Sequence, residues 1–241
     1  MYNVFIVTSA IHTHFGIFSP EMREQQTFET IKSIKERVPN SFIILSDMGK
    51  SSISNRLVRE TNCYFDLSTE PNIQQYQKFP KKARIYAINL METLGIIRTL
   101  ELILKEPTLK FLLSNSDYFF KLSGRYVLND NFKLGNLVNE NTFEKYIFKT
   151  KEYAFFTRDF ADGKFVRQTR LWGFHHSLLV ETYELYNKVY NMMHTDFFIN
   201  KDYFHDIEQS IEIIFPTNKI CNVDVMGVEG SIADRGIFIS E

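Results

Sequence analysis

The sequence predicts an α/β fold built on a mostly parallel central sheet flanked by helices. Short runs of β-branched and aromatic residues alternate with amphipathic helical segments through the first half of the chain. The strand-like runs are apolar throughout, which is typical of strands buried on both faces. With 241 residues, of which 44% are hydrophobic and 24% charged, the chain has the composition of a folded domain.

The first predicted β-α-β unit begins near the amino terminus. Val4–Thr8 is a short strand of the buried type, and Ser19 followed by Pro20 is a typical helix start. Apolar residues then recur near helical spacing as far as Val38, and Phe42–Leu45 is a second apolar strand. Since such crossovers are right-handed in nearly all proteins, we expect two parallel strands.

The later elements are less regular. A long helix is predicted from about Ala83 to Lys105, because apolar residues line one broad face and Glu106-Pro107 ends the pattern. The other predicted elements are strands at Phe111–Leu113, Tyr118–Leu122, Tyr146–Thr157 and Lys164–Trp172, a hairpin turn at Asp162-Gly163, and helices at Ser177–Met193 and Lys201–Ile214.

Composition excludes several classes of function. A net charge of -1 gives no general attraction to nucleic acid. Cys63 and Cys221 form neither a CxxC metal pair nor a disulfide framework, and we interpret them as buried, reduced thiols. No run approaches the roughly 18 apolar residues of a membrane span, and Met1 leads directly into a strand-like run. We therefore expect a soluble cytoplasmic protein with no nucleic-acid partner and no transmembrane segment; the oligomeric state is open.

Polar residues lie at the ends of three of the predicted strands, at the edge of an open parallel sheet where ligands bind. They are Thr8-Ser9, Ser46-Asp47 and Ser123-Gly124-Arg125. Gly124 would let the backbone approach a ligand closely, and the planar guanidinium of Arg125 suits phosphate oxygens. A turn followed by a surface charge is the competing interpretation. Neither a Walker loop nor a GxGxxG motif occurs, so ATPase and dinucleotide-dehydrogenase functions have no motif support.

The helix predicted near residue 206 supplies two candidate general bases. Its apolar face consists of Phe204, Ile207, Ile211 and Ile214. At about 100° per residue, Glu208 and Asp206 lie on opposite sides of that face, so both enter one pocket only if the helix starts late. Glu208 is nearer the buried boundary, where desolvation would raise its pKa, and we rank it first. Solvated helix carboxylates are the competing interpretation.

The segment Phe120-Lys121-Leu122-Ser123-Gly124-Arg125-Tyr126 resembles the K-[IL]-S-G-R-Y-x-L motif of small sugar transferases. These occur in large algal viruses, marine phages and bacterial polysaccharide clusters, and are similar to WavE-type lipopolysaccharide glycosyltransferases. The resemblance extends to Arg23–Thr27, Thr169–Phe174, Asp206–Ile211 and Val228–Ala233.

This resemblance implies a GT-A-like, Rossmann-type fold in a single domain, 1–241. Residues 1–130 would bind the nucleotide sugar and 131–241 the acceptor, in the cytoplasm (the host's, if the chain is viral). The implied activity is transfer of a monosaccharide from a nucleoside diphosphate sugar to a hydroxyl of a glycan. The alternative, from a different class, is a non-catalytic sugar- or nucleotide-binding module on a degenerate fold of this kind.

The resemblance and the strand ends together give three sets of candidate residues. The catalytic candidates are Glu208, Asp206 and Arg125. The donor-binding candidates are Thr8, Ser9, Asp47, Arg84, Lys121, Ser123, Gly124 and Arg125, with Lys81-Lys82 beside Arg84. The acceptor-binding candidates are Tyr126, Arg170, Trp172 and His175, the aromatic rings among them for stacking on a sugar face.

The Asp-x-Asp motif with which GT-A enzymes commonly hold Mn²⁺ or Mg²⁺ is missing. Ser123-Gly124-Arg125 stands where that motif would be. Either Arg125, with Lys121, supplies the positive charge, or a metal is held from elsewhere by Asp117, Asp130 or Asp224. We favour the guanidinium. The six histidines include two close pairs but no third ligand at helical spacing.

Overall fold

The computed structural model describes residues 2–80, 83–113, 115–150, 152–153, 165–200, 204–232 and 236–241. The strands in these ranges are β1 (Tyr2–Ser9), β2 (Phe42–Asp47), β3 (Cys63–Asp66), β4 (Ser116–Ser123), β5 (Tyr126–Leu128), β6 (Tyr146–Lys149), β7 (Glu152–Tyr153), β8 (Phe165–Val166), β9 (Leu171–His175), β10 (Ile220–Val223), β11 (Val228–Ser231) and β12 (Phe238–Ser240). The α-helices are α1 (Pro20–Arg37), α2 (Asn55–Arg59), α3 (Pro71–Tyr76), α4 (Arg84–Lys105), α5 (Pro107–Leu113), α6 (Leu134–Leu137), α7 (Leu179–Thr195) and α8 (Ile207–Ile214). None of them is both long and apolar enough to span a bilayer.

The central sheet has seven strands in the order β10-β6-β9-β4-β1-β2-β3. Strands β1 to β4 are parallel where they pair, and so are β6 and β10. Only β9, of the strands described in this sheet, runs antiparallel to both of its neighbours, β4 and β6. The predicted α/β fold with a mostly parallel sheet is confirmed. Strand pairing joins the two sequence halves, because β4 pairs with β9 in this sheet and β5 pairs with β11 in a separate three-stranded sheet of order β12-β11-β5.

The first β-α-β unit forms as the sequence predicts. Ser19 is the N-cap of α1, and its hydroxyl oxygen accepts a hydrogen bond from the Met22 amide at 3.3 Å. Strands β1 and β2 are parallel, with Val4 opposite Phe42. The N-cap and the apolar periodicity were sufficient to predict this unit from the sequence.

Both faces of the sheet are covered, which explains why its strands are apolar throughout. Along β1, Val4 and Ile6 belong to the core shared with α4, α7 and α8. Phe5 and Val7 face the opposite core, which includes α1 and β5. The long helix is confirmed, since α4 buries a broad apolar face that includes Leu90, Leu94 and Ile97.

One predicted strand is wrong. Phe111–Leu113 is the end of helix α5, whose first residue is Pro107. A short apolar run fits a strand or a buried helix equally well, and here Pro107 at the first helical position decides the outcome. The strand predicted at Tyr146–Thr157 is broken into β6 and β7 in its described part. The predicted turn at Asp162-Gly163 lies outside the described residues.

The carboxy-terminal helices differ from the prediction in where they start. A 3₁₀ turn at His176–Leu178 precedes α7. Helix α8 begins only at Ile207, because the Asp206 carboxylate caps it; residues 201–203 lie outside the described part. Cys63 and Cys221 are free thiols, but they are half-buried rather than buried, because they lie on the two outermost strands of the sheet, β3 and β10.

Two glycines, one tightly packed and one in open space, offer a test of the packing around Gly227. Gly227 has φ +71°, and a Cβ there would lie 2.1 Å from the Phe132 amide nitrogen. Gly227→Ala should therefore destabilise the protein by at least about 2 kcal/mol and lower the Tm by roughly 4–8 °C. Gly135→Ala is the control, since a Cβ in α6 would meet nothing within 4 Å. Equal Tm values for the two variants would contradict this account.

Candidate functional site

A small pocket of about 50 Å³ opens where β1 and β4 end. Its walls come from the end of β1 and the loop after it, the first turn of α1 and the first half of α4. The charged and polar side chains that line it include Thr8, Ser9, Arg23, Glu92 and Arg125. The carboxyl edge of the sheet thus holds a cleft, as expected for an open parallel sheet.

Arg125 presents a positive charge to this pocket. Its Nε is buried and has no hydrogen-bond partner among the described residues. Its guanidinium carbon lies 5.8 Å from the centre of the Tyr126 ring, and that of Arg170 lies 5.9 Å from the same ring. A buried, unsatisfied guanidinium nitrogen is costly unless a ligand completes it. The geometry suits an anion at this position.

Arg23 brings a second guanidinium to the same pocket. It is 6% exposed and donates to the carbonyls of Phe18 (3.1 Å), Ala10 (3.4 Å) and Phe15. These bonds fix the loop after β1. Burial, reinforced by the charge of Arg125, lowers the pKa of Arg23 to about 10. It remains a cation at neutral pH, so two positive groups face one cavity.

Asp47 lies beneath the pocket rather than in its wall. It is fully buried, and its carboxylate accepts hydrogen bonds from the Ser9 hydroxyl (2.5 Å) and the amides of Ile11 and Gly49 (3.0 Å each). Burial raises the pKa of Asp47. It joins the loops that follow β1 and β2, and so supports the site from below.

Lys121 is also an internal residue. It is 1% exposed, and its Nζ donates to Glu92, to the Ser123 hydroxyl (2.7 Å) and to the Thr169 carbonyl (2.8 Å). Burial alone would raise the pKa of Glu92, but the charge and hydrogen bond of Lys121, helped by Arg125, outweigh it and lower the pKa. The three donor positions of Lys121 are occupied, which leaves the free positive charge of the pocket to the two arginines.

Glu208 lies at the other end of this network. The Thr169 hydroxyl donates to the Glu208 carboxylate at 2.5 Å. Burial raises the pKa of Glu208 to about 7, and the negative charges of Asp206 and Glu92 act in the same direction. The start of α8 meets α4 where the Ile207 amide donates to the Asn89 side chain at 3.0 Å, one turn before Glu92. A carboxylate with this pKa suits general-base catalysis.

Asp206 has a structural role as the N-cap of α8. Its carboxylate accepts from the Gln209 amide at 2.9 Å, and the Gln209 side chain accepts from the Asp206 amide at 3.1 Å. This capping box satisfies the free amides of the first turn. The late helix start brings Asp206 and Glu208 close together, yet only Glu208 is oriented by the network.

The remaining donor candidates do not all lie in the pocket. Thr8 and Ser9 line the pocket. Gly124 packs against the end of β1, where its amide donates to the Thr8 carbonyl at 2.8 Å and a Cβ would lie 3.1 Å from that oxygen. Ser123 is buried against Lys121. Arg84 is the exposed first residue of α4, and Lys81-Lys82 lie outside the described residues.

The acceptor candidates do not form one surface. Tyr126 and Arg170 lie beside Arg125, with Arg170 also paired to Glu241 at 2.9 Å. Trp172 is fully buried, with its ring stacked 5.4 Å from those of Phe148 and Tyr186. It has no face for a sugar, and we drop it from the candidates.

His175 lies at the opposite edge of the sheet. Strand β9 is antiparallel to β4, so His175 stands opposite Tyr118, near the start of β4, rather than near Ser123. Its Nδ1 is 2.9 Å from the Ser177 hydroxyl. We drop His175 as well, because it lies at the edge of the sheet away from the pocket. The strand direction that places it there could not be derived from the local sequence.

The acids that could replace the Asp-x-Asp motif are scattered. Asp117 lies near the start of β4, at the edge away from the pocket. Asp130 is exposed and pairs with Arg37, and Asp224 accepts from the Thr150 hydroxyl at 3.0 Å. Within the described ranges, no three His, Cys, Asp or Glu side chains are grouped as a metal site. The pocket residues fit an anion held by guanidinium groups better than a metal held by paired acids.

Sequence reasoning missed Arg23, Glu92 and Thr169 as site residues. Arg23 and Thr169 belong to segments that carried the family resemblance, which was the available signal. Glu92 had none, because a single acid on a helix is normally solvated and its partner Lys121 is distant in sequence.

No protein-family model and no curated protein sequence matches this chain. Solved structures with a similar chain path include a glycosyltransferase involved in glycosylation of the major capsid of PBCV-1 (12% identity, TM-score 0.45, covering 92% of this chain and 82% of that one). Galactosyltransferase LgtC in complex with donor and acceptor sugar analogues has 11% identity and a TM-score of 0.49 (91% and 72%). The 4-diphosphocytidyl-2C-methyl-D-erythritol synthase of Anaerococcus prevotii has 15% identity and a TM-score of 0.44 (100% and 93%). At this level of similarity, the function has to be argued from the site itself.

The buried ion pair gives a stability prediction. Lys121→Met leaves the Glu92 carboxylate without its cation and should cost about 3–5 kcal/mol, whereas Lys121→Met combined with Glu92→Gln should recover much of that loss. Since the folded pKa of Glu92 is lowered, its ionised form stabilises the protein above the unfolded-state pKa, and this is lost as the pH falls through the folded pKa. The Tm gap between wild type and Lys121→Met should therefore narrow in acid. Equal Tm losses for the single and double variants would contradict the pairing.

Proposed function

We propose that this protein transfers a monosaccharide from a nucleoside diphosphate sugar to a hydroxyl of a glycan acceptor. The observation that carries the proposal is the presence of two guanidinium groups, Arg23 and Arg125, in one pocket at the carboxyl edge of the sheet. A carboxylate whose pKa is raised to about 7, that of Glu208, is linked to the same strand end through Lys121 and Thr169.

The proposed donor site uses this positive charge. A nucleoside diphosphate leaves with growing negative charge on its phosphate oxygens, and fixed cations at that point stabilise the transition state. Arg125 would contact the diphosphate directly, because its Nε is unsatisfied. Arg23 would add positive charge to the donor site without contacting the diphosphate directly, since its nitrogens already donate to carbonyls that hold the loop after β1. Thr8 and Ser9 would line the nucleotide end.

The proposed reaction is a single displacement with inversion. The acceptor hydroxyl oxygen forms a bond to the anomeric carbon while the bond from that carbon to the diphosphate oxygen breaks. The electron pair of the broken bond goes to the diphosphate, and the hydroxyl proton passes to the Glu208 carboxylate. Tyr126 and Arg170, beside Arg125, are the remaining candidates for contacts with the sugars.

A donor panel tests this function. UDP, GDP and their sugars should raise the Tm, and a ligand at about 100 times its Kd adds about 2.7 kcal/mol, or roughly 5–10 °C for a chain of this size. A panel without any shift would contradict the proposal. Donors that bind should then be incubated with glycan acceptors. Binding without hydrolysis or transfer would identify the non-catalytic module instead.

A further inference from the structure

We propose that Thr169 is a positioning residue, which holds the Glu208 carboxylate in the orientation that catalysis requires, and that Lys121 in turn fixes Thr169. This inference rests on the proposed function for its catalytic meaning. The orientation of the Glu208 carboxylate by Thr169 can also be measured without any activity, from the titration of Glu208.

The segment 167–170 is bonded to α8 at two points. Arg167, 1% exposed, forms an ion pair of 2.7 Å with Glu212, and the Thr169 hydroxyl donates to Glu208. Glu208 and Glu212 are four residues apart and therefore lie on the same face of α8. The segment thus runs along the helix face that carries the proposed base.

The same segment is also hydrogen-bonded to the end of β4. The Ser123 amide donates to the Arg170 carbonyl at 2.9 Å, and Lys121 donates to the Thr169 carbonyl at 2.8 Å. Thr169 is 5% exposed and Lys121 is 1% exposed, so water does not compete for these bonds. Because Arg125 follows Ser123 closely, the group that meets the anion and the group that takes the proton belong to one bonded framework.

A single hydrogen bond can decide the orientation of the Glu208 carboxylate. Glu208 is half-buried in the first turn of α8, and a glutamate there has several accessible rotamers. A displacement of about 1 Å at a catalytic group costs up to about 100-fold in rate. Thr169 offers one short bond of 2.5 Å that selects a rotamer, and within the described residues it is the side chain seen to bond the Glu208 carboxylate.

In the described part of the chain, the titratable and charged groups near Glu208 come from α4, α7, α8, β4 and the segment before β9. Glu92 on α4 and Asp206 at the cap of α8 are negative and raise the pKa of Glu208. The Tyr186 hydroxyl on α7 is held neutral by burial. Lys121 and Arg167 are cations already engaged by Glu92 and Glu212. The Thr169 hydroxyl and the Glu208 backbone amide donate the hydrogen bonds that favour the ionised form of Glu208. Thr169 is the side chain of the two, and removing its bond should raise the pKa further.

The test uses three substitutions at one position. Thr169→Val keeps the shape and removes the hydroxyl, Thr169→Ala removes it without a branched side chain, and Thr169→Ser restores it. In the first two, kcat should fall about 10-fold with the donor KM unchanged, and the acid limb of the kcat profile should move up by about one pH unit. Thr169→Ser should return both quantities toward wild type. A kcat loss with no movement of the acid limb would overturn the proposal.

A titration independent of activity separates this proposal from the proposed function. In protein labelled with ¹³C at the glutamate side chains, Glu208→Gln identifies the Glu208 carboxyl signal. Its midpoint should rise by about one pH unit in Thr169→Val and Thr169→Ala and return in Thr169→Ser. This result supports the positioning role even if no sugar transfer is found. An unchanged midpoint in folded Thr169→Val and Thr169→Ala overturns the role even in an active transferase.

Discussion

Replacing Arg125 with alanine should weaken binding of the best nucleoside diphosphate by about 10- to 100-fold. A hydrogen bond to a charged group contributes about 1.5–3 kcal/mol, and Arg125 has an unsatisfied Nε at the pocket. Isothermal titration with the nucleotide selected by the donor panel measures the change. We expect the variant to fold, because no ion pair of Arg125 is seen within the described residues and Glu92 keeps its ion pair with Lys121.

Two further variants sharpen this measurement. Arg37→Ala removes an arginine from an exposed pair with Asp130 and should leave nucleotide affinity unchanged. Arg125→Lys keeps the charge but not the planar fork, so its affinity should lie between those of wild type and Arg125→Ala. Equal affinities for wild type and Arg125→Ala would remove Arg125 from the donor site.

Replacing Glu208 with glutamine should lower kcat by about 100- to 10,000-fold while the donor Kd stays the same. Glutamine is nearly isosteric and still accepts the Thr169 hydrogen bond, but it does not take up a proton. In the wild type, kcat should rise with pH through about 7, because the Glu208 carboxylate must be ionised to act as a base and its pKa is raised to about 7.

Asp206→Asn is the matched control for Glu208→Gln. Asparagine caps a helix as well as aspartate does, so α8 should remain intact and most activity should be retained. Loss of the Asp206 charge should also move the acid limb of the kcat profile to lower pH, since that charge raises the pKa of Glu208. A larger kcat loss in Asp206→Asn than in Glu208→Gln would assign the base to Asp206.

Elements with strong local signals were predictable from the sequence. The Ser19 cap and the apolar face of α4 gave helices close to their observed bounds, because capping and periodicity act within a few turns. Phe111–Leu113 was mispredicted, because three apolar residues fit either a strand or a helix. The direction of β9 depends on pairing with β4 and β6, which are distant in sequence. Because β9 is antiparallel to β4, His175 lies at the edge of the sheet away from the pocket.

The site was predictable in part for the same reason. Thr8 and Ser9 are the last residues of β1 and Arg125 follows β4, and the rule that ligands bind at strand ends placed them at a cleft. Lys121 carries the same charge as Arg125 and lies four residues before it. Its side chain nevertheless points into the interior, where Glu92 and the Thr169 carbonyl accept its hydrogen bonds. Alternation along β4 predicts opposite faces for neighbouring residues but does not reveal a buried partner on α4 or on the segment before β9.

The central claim is that arginine side chains, rather than a divalent cation, neutralise the diphosphate. The most direct measurement is the affinity of the wild-type protein for its best nucleoside diphosphate in EDTA and again with added Mn²⁺. This account predicts binding in EDTA with a Kd within about twofold of the Mn²⁺ value, since the positive charge belongs to the protein. Binding that disappears in EDTA and returns with Mn²⁺ would contradict it.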